Sequence, residues 1–327
     1  MITLGRIRGI PVRAERGWFV VFAVVTSSLA VVYFPRAVPA APTLAHWAWG
    51  VGAAMLLFVS LLAHELAHAL AARSYGIRVE SITLHLLGGV SQMVDEPPTP
   101  HAELLIAAVG PLTSFALAGA AVGARMIAPG QDWTRALLGY VGVANVVIGT
   151  FNLLPGFPLD GGRILRALLW EWRGSFGWAT RMASATGRIC GLTLAGLGVA
   201  NALGGEIVGG LWLVMLGIFV HQSAHAAGTL GEIRERLAPL QVGQIMSAPP
   251  SAPAALDSQS VGPHDSAWLA FTRLSATSAD AMRVVEDGRV VGAVDRDGLK
   301  RSLAQGGRVA RPSDHATRDA WGFTSGR

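Results

Sequence analysis

The sequence predicts an α-helical polytopic membrane protein of about six transmembrane helices, followed by a small α/β domain. Three observations carry that expectation. Apolar segments of about 20 residues, the length that spans a bilayer, recur up to about residue 230. Charged residues make up only 14% of the chain, against about 25% in soluble domains. The arginines gather in the short links between apolar segments, as the topology of a membrane protein requires. The net charge of +5 follows that pattern and gives no nucleic-acid surface. The one cysteine, Cys190, excludes an intramolecular disulfide and a Cys-rich metal site, and its apolar surroundings predict a buried thiol.

In chain order, Arg6, Arg8, Arg13 and Arg16 precede a first span over residues 18–34, bordered by Trp18 and Tyr33. No convincing cleavage site follows it, so it is read as a span and not a signal peptide. A link with Pro35, Pro39 and Pro42 leads to a second span over 47–72, closed by Arg73 and Arg78. Residues 79–94 partly alternate in polarity around Gly88-Gly89, which predicts a short hairpin or re-entrant loop. Further spans are expected at 102–127, with Gly110-Pro111 inside to bend the helix or admit a neighbouring backbone, and at 133–151. Two prolines and three glycines then break the chain before Arg163, Arg166 and Arg173. The last spans are expected at 178–203 and 207–225. Six spans and the arginine bias place both termini in the cytoplasm. The expected divisions are a membrane domain over 1–230, a cytoplasmic domain over 240–303, and a polar, disordered tail over 304–327. Within the second, Arg283 to Val294 reads as two strands about Asp287-Gly288, with a helix beginning near Asp297.

The chemistry sits in the second span. His64-Glu65-Leu66-Ala67-His68 puts two imidazoles one helical turn apart, both facing one way. That spacing suits one zinc ion, with Glu65 placed to handle a proton. A catalytic zinc takes about three protein ligands and keeps one position open. Asp160 is the candidate for the third, because an unpaired carboxylate in a broken apolar segment is costly, and Gly161-Gly162 would let backbone pack closely around it. Asn152 could donate to a developing oxyanion. His221 and His225 also stand four apart, but they have no adjacent Glu and read as histidines at a helix end.

His64-Glu65-Leu66-Ala67-His68, together with Phe151-Asn152-Leu153-Leu154-Pro155 and Pro158-Leu159-Asp160-Gly161-Gly162, resembles the site-2 protease family of intramembrane zinc metalloproteases. The resemblance covers roughly residues 45–170. It implies a three-helix catalytic core built from spans two to four, a membrane-embedded Zn2+, and membrane-anchored regulatory proteins such as anti-sigma factors as substrates. It also makes Gly88-Gly89 part of the family's re-entrant β loop and Gly110-Pro111 part of its core. The segment over 242–301 looks like a cystathionine-β-synthase (CBS) domain. Only one repeat is apparent where such modules come in pairs, so adenine-nucleotide binding stays open, and pairing between two chains could complete a module. The loop over 79–94 is expected to clamp an unwound substrate by β-augmentation, with His85 near the cleft. Two competing readings are a catalytically silent client binder and a transporter. The second would spread ionisable groups over several spans, whereas they are concentrated at two places.

Overall fold

A computed structural model describes residues 1–85, 88–93, 96–128, 132–248, 256–277 and 279–304. The chain divides into two compact units, Met1–Ala227 and Gly228–Arg327. The expected polar tail over 304–327 lies, but for Ala304, outside the described residues.

The first unit opens with a hairpin of β1 (Ile2–Ile7) and β2 (Ile10–Ala14), turned through Arg8 and Gly9 at positive φ. Ile10, Val12 and Ala14 alternate inward and are buried, which is why β2 forms among the N-terminal arginines. The first span runs Arg16–Ala37, as α1 (Arg16–Ser28), a π-helical turn (Leu29–Tyr33) and α2 (Phe34–Ala37). Trp18 fixes α1 by stacking on Phe22 and meeting the edge of Phe58. The second span is α3 (Thr43–Ser74), a 32-residue helix that starts directly after Pro42.

The hairpin expected over 79–94 is present as β3 (Val79–His85) and β4 (Gly88–Met93), paired antiparallel with Leu84 opposite Gly89. It is not a free-standing loop. β2 lies parallel to β3, with Val12 opposite Ile82, giving one sheet in the order β1-β2-β3-β4. Ile10, Ile77 and Ile82 pack with Ala69 and Ile106, so the sheet sits on the helices.

Helix α4 (Pro100–Ile127) is capped by Thr99, whose hydroxyl accepts from the Ala102 amide at 3.1 Å. It passes through Pro111 without ending. Helix α5 (Asp132–Asn152) turns a face of Gly142, Asn145 and Gly149 inward, and an ideal Cβ on Gly149 would stand 3.0 Å from the Phe115 ring. Helices α3, α4 and α5 all pack on one another, as the three-helix core requires. Small faces of this kind let membrane helices approach closely. The chain then turns through Gly156 and a cis Phe157–Pro158 bond into α6 (Asp160–Arg173), a short helix that ends on left-handed Gly174. Helices α7 (Phe176–Leu203) and α8 (Ile207–Leu237) complete six helices long and apolar enough to span a membrane among the described residues. The chain is a multi-pass membrane protein. The expected spans match these helices to within a few residues, except that α8 runs on well past the apolar stretch. Cys190 is half-buried, not fully buried as expected, because α7 turns it toward the Pro155 carbonyl at its rim.

The second unit is a small β-α-β-β-α fold: β5 (Leu256–Val261), α9 (Ala267–Ser275), β6 (Ala281–Glu286), β7 (Arg289–Asp295) and α10 (Arg296–Ala304). Its sheet runs β5-β6-β7, with β5 parallel and β7 antiparallel to β6. Asp287 and Gly288 both take positive φ, the requirement of a two-residue hairpin turn. Val261, Leu274, Met282, Val284, Val294 and Leu299 form its core.

Candidate metal centre

On α3, His64 and His68 face inward and are buried, each 3% exposed. Asp160 arrives from the far side as the first residue of α6. Its Oδ2 lies 3.0 Å from His64 Nε2 and 3.1 Å from His68 Nε2. Among the described residues this is the one cluster of three metal-capable groups, their ligand atoms all within 4.8 Å of one another. Two ligand atoms each about 2.0 Å from a tetrahedral zinc lie about 3.3 Å apart, close to these separations.

The rings are oriented for that role. His64 Nδ1 is 2.9 Å from Ser114 Oγ, and His68 Nδ1 is 2.6 Å from the Ile106 carbonyl oxygen. With Nδ1–H donating to these acceptors, both Nε2 lone pairs point at the centre, the arrangement that outer-shell partners impose on metal-binding histidines. Gly110 supplies the space. A Cβ there would fall 2.1 Å from His68 Nε2 and 2.7 Å from His64 Nε2. Sequence reading expected Gly110 to serve a bend or a backbone contact; it serves the imidazoles instead. Two imidazole nitrogens, one carboxylate oxygen and a cleared volume before them fit a zinc ion.

The position of Asp160 is set by glycines. A Cβ on Gly161 would stand 2.3 Å from the Leu154 carbonyl oxygen, and one on Gly162 would stand 2.3 Å from the Gly156 carbonyl carbon. Gly156 in turn meets Gly187 of α7, whose Cα would be 2.3 Å from its Cβ. Asp160 carboxylate charge also sits at a helix N-terminus, where the dipole favours it.

Glu65 is half-buried beside the histidines and lies under β4. Ser91 Oγ donates to Glu65 Oε2 at 2.8 Å and lies 3.1 Å from the Glu65 carbonyl oxygen. Asn152, the candidate oxyanion donor, gives one amide hydrogen to the Ile148 carbonyl at 3.0 Å. His85, expected near the cleft, pairs with Glu15 Oε2 at 3.0 Å.

Several residues here carry no motif. Ser114 and the Ile106 carbonyl orient the rings. Glu103, fully buried on α4, takes both the Nε and an Nη of Arg166 on one oxygen, Oε1, tying α4 to α6. Arg166 also lies over the rings of Phe157 and Phe176, at 4.9 and 4.5 Å. Buried Asn145 donates to Ser60 Oγ at 3.0 Å, one turn before His64. The signal for Glu103 was an acid just inside an apolar span, with an arginine in the polar segment beyond the following span; that for Ser114 was weaker still.

The profile of peptidase family M50 matches residues 52–137 and 126–194, which hold both histidines, Glu65 and Asp160. The chain matches peptidase family M50 across its candidate metal centre. The chain is 41% identical over 253 residues to the putative zinc metalloprotease Rip3 of Mycobacterium tuberculosis, covering 76% of the chain and 64% of that relative. It is 32% identical over 201 residues to the zinc metalloprotease MJ0392 of Methanocaldococcus jannaschii, covering 60% and 55%. It thus spans less than two thirds of the length of these relatives. A solved site-2 protease from Methanocaldococcus jannaschii aligns with a TM-score of 0.48 at 29% identity, over 69% of this chain and 94% of that one. The resemblance read from the two motifs is the family found.

Proposed function

We propose that this chain is an intramembrane zinc metalloprotease that hydrolyses peptide bonds in or near the transmembrane segments of membrane-anchored regulatory proteins, such as anti-sigma factors. The observation that carries the reading is the meeting of His64 Nε2, His68 Nε2 and Asp160 Oδ2 from two helices 92 and more residues apart. These three residues hold zinc. When bound, zinc supplies Lewis acidity and brings the pKa of its water to about 7. Glu65 takes the proton from the attacking water and returns it to the leaving amine. Asn152 gives its second amide hydrogen to the developing oxyanion. A transmembrane helix hides its peptide bonds in hydrogen bonds, so the substrate must unwind, and the open edge of β4 receives it as an added strand.

The remaining assignments are proposals of the same standing. The membrane domain covers residues 1–230 and a CBS-like domain covers 240–303; a second copy of the chain completes that module, and adenine nucleotide is its candidate ligand. Both termini face the cytoplasm, on the side of the N-terminal arginines.

Two variants test the reading. Metal analysis of purified Asp160→Ala should show most of the zinc lost; wild-type zinc would remove Asp160 from the ligand set. Glu65→Gln should keep its zinc and lose cleavage. Unchanged processing in that variant would end the protease reading and leave the chain a client binder.

A further inference from the structure

The strand that covers Glu65 is also the strand with an open edge. β4 closes the four-stranded sheet, so its outer backbone edge has no strand partner among the described residues. An extended peptide adds to such an edge through main-chain hydrogen bonds. Side chains alternate along a strand, so Gly89, Ser91 and Met93 share one face. Gly89 and Ser91 meet Glu65, and Met93 meets α6. A Cβ on Gly89 would stand 2.5 Å from Glu65 Cγ. Ser91 Oγ is 2.8 Å from Glu65 Oε2 and 3.1 Å from the Glu65 carbonyl oxygen. Met93 Sδ is 3.9 Å from Arg163 Nη2 on α6.

Ser91 has one hydroxyl hydrogen and gives it to the nearer, charged acceptor, the carboxylate. It therefore holds the far end of the Glu65 side chain. Gly89 is the neighbour that lets the glutamate stem lie flat beneath the strand. The bond occupies Oε2 and leaves Oε1 to accept a proton. His64, His68 and Asp160 have no hydrogen bond with Ser91, so the ligand set does not depend on its hydroxyl.

We propose that Ser91 is a positioning residue for Glu65, so that β4 both receives the substrate strand and aims the proton-transferring carboxylate. This rests on the proton-transfer reading of Glu65. A peptide that pairs along β4 fixes the strand, and through Ser91 fixes Glu65. Pairing and proton transfer are then coupled by one hydroxyl.

The test uses the full chain in detergent, loaded with zinc. The substrate is a synthetic peptide with one apolar span, bearing a fluorophore and a quencher. A hydrogen bond to a charged group is worth about tenfold or somewhat more, so Ser91→Ala should lower kcat by about tenfold. KM and bound zinc should stay within about twofold. Ser91→Thr, which keeps the hydroxyl, should restore most of the rate. Infrared difference spectra give a second readout without substrate. The carboxylate stretch assigned to Glu65 by subtraction of Glu65→Gln should shift in Ser91→Ala and return in Ser91→Thr. An unshifted band, an unchanged or increased kcat in Ser91→Ala, a loss confined to KM or zinc, or no recovery with threonine would each overturn the proposal. A Glu65→Gln protein that cleaves at the wild-type rate would overturn the parent reading instead, whatever the infrared result.

Discussion

At His68 the smallest side chain on the neighbouring helix decides whether a metal can enter. Gly110→Ala should abolish stoichiometric zinc, because the added methyl would occupy the place of the Nε2 lone pair; metal analysis of the folded protein checks this. Ser114→Ala is gentler. Loss of the acceptor on His64 Nδ1 should weaken zinc binding about 10–100-fold, by the usual cost of an outer-shell partner, read by competition against a chelator. His64, Glu65 and His68 were legible in the sequence because their relation is local: one helix fixes the spacing. Asp160 was legible because a carboxylate in an apolar break needs a reason. Gly110 and Ser114 were not, since each acts across a helix contact that no spacing within the chain records.

Among the elements, α6 is the one that must be held, because it brings Asp160. The buried pair between Glu103 and Arg166 holds it to α4. Arg166→Met should destabilise the protein by about 3–5 kcal/mol, the cost of stranding a buried charge. The double change Glu103→Leu with Arg166→Met should recover much of that loss, since neither charge remains buried alone. Thermal unfolding in detergent measures both. The six spanning helices were read from composition alone, because length and apolarity suffice for spans, whereas α6 was read only as a break followed by arginines. The β2–β3 pairing was not, because parallel partners about 70 residues apart leave no local sign. Helix α9 escaped for another reason: nine residues are too few for a periodic pattern to stand out.

For the whole molecule, the proposal that both termini face the cytoplasm rests on six candidate spans among the described residues. The arginines before α1 are its other support. Reporter fusions at residue 1 and after residue 227 should therefore both report cytoplasm, and opposite results would require a different span count. The molecule also links its fifth span to its chemistry. Gly156, which precedes Asp160 by one tight turn, meets Gly187 on α7 with no side chain between them. Bare backbone against bare backbone has nothing soft to absorb a displacement. A tilt of α7, whether from bilayer thickness or from a neighbouring protein, would thus pass on to Asp160, the proposed third ligand, so that a helix outside the proposed metal centre bears on its geometry.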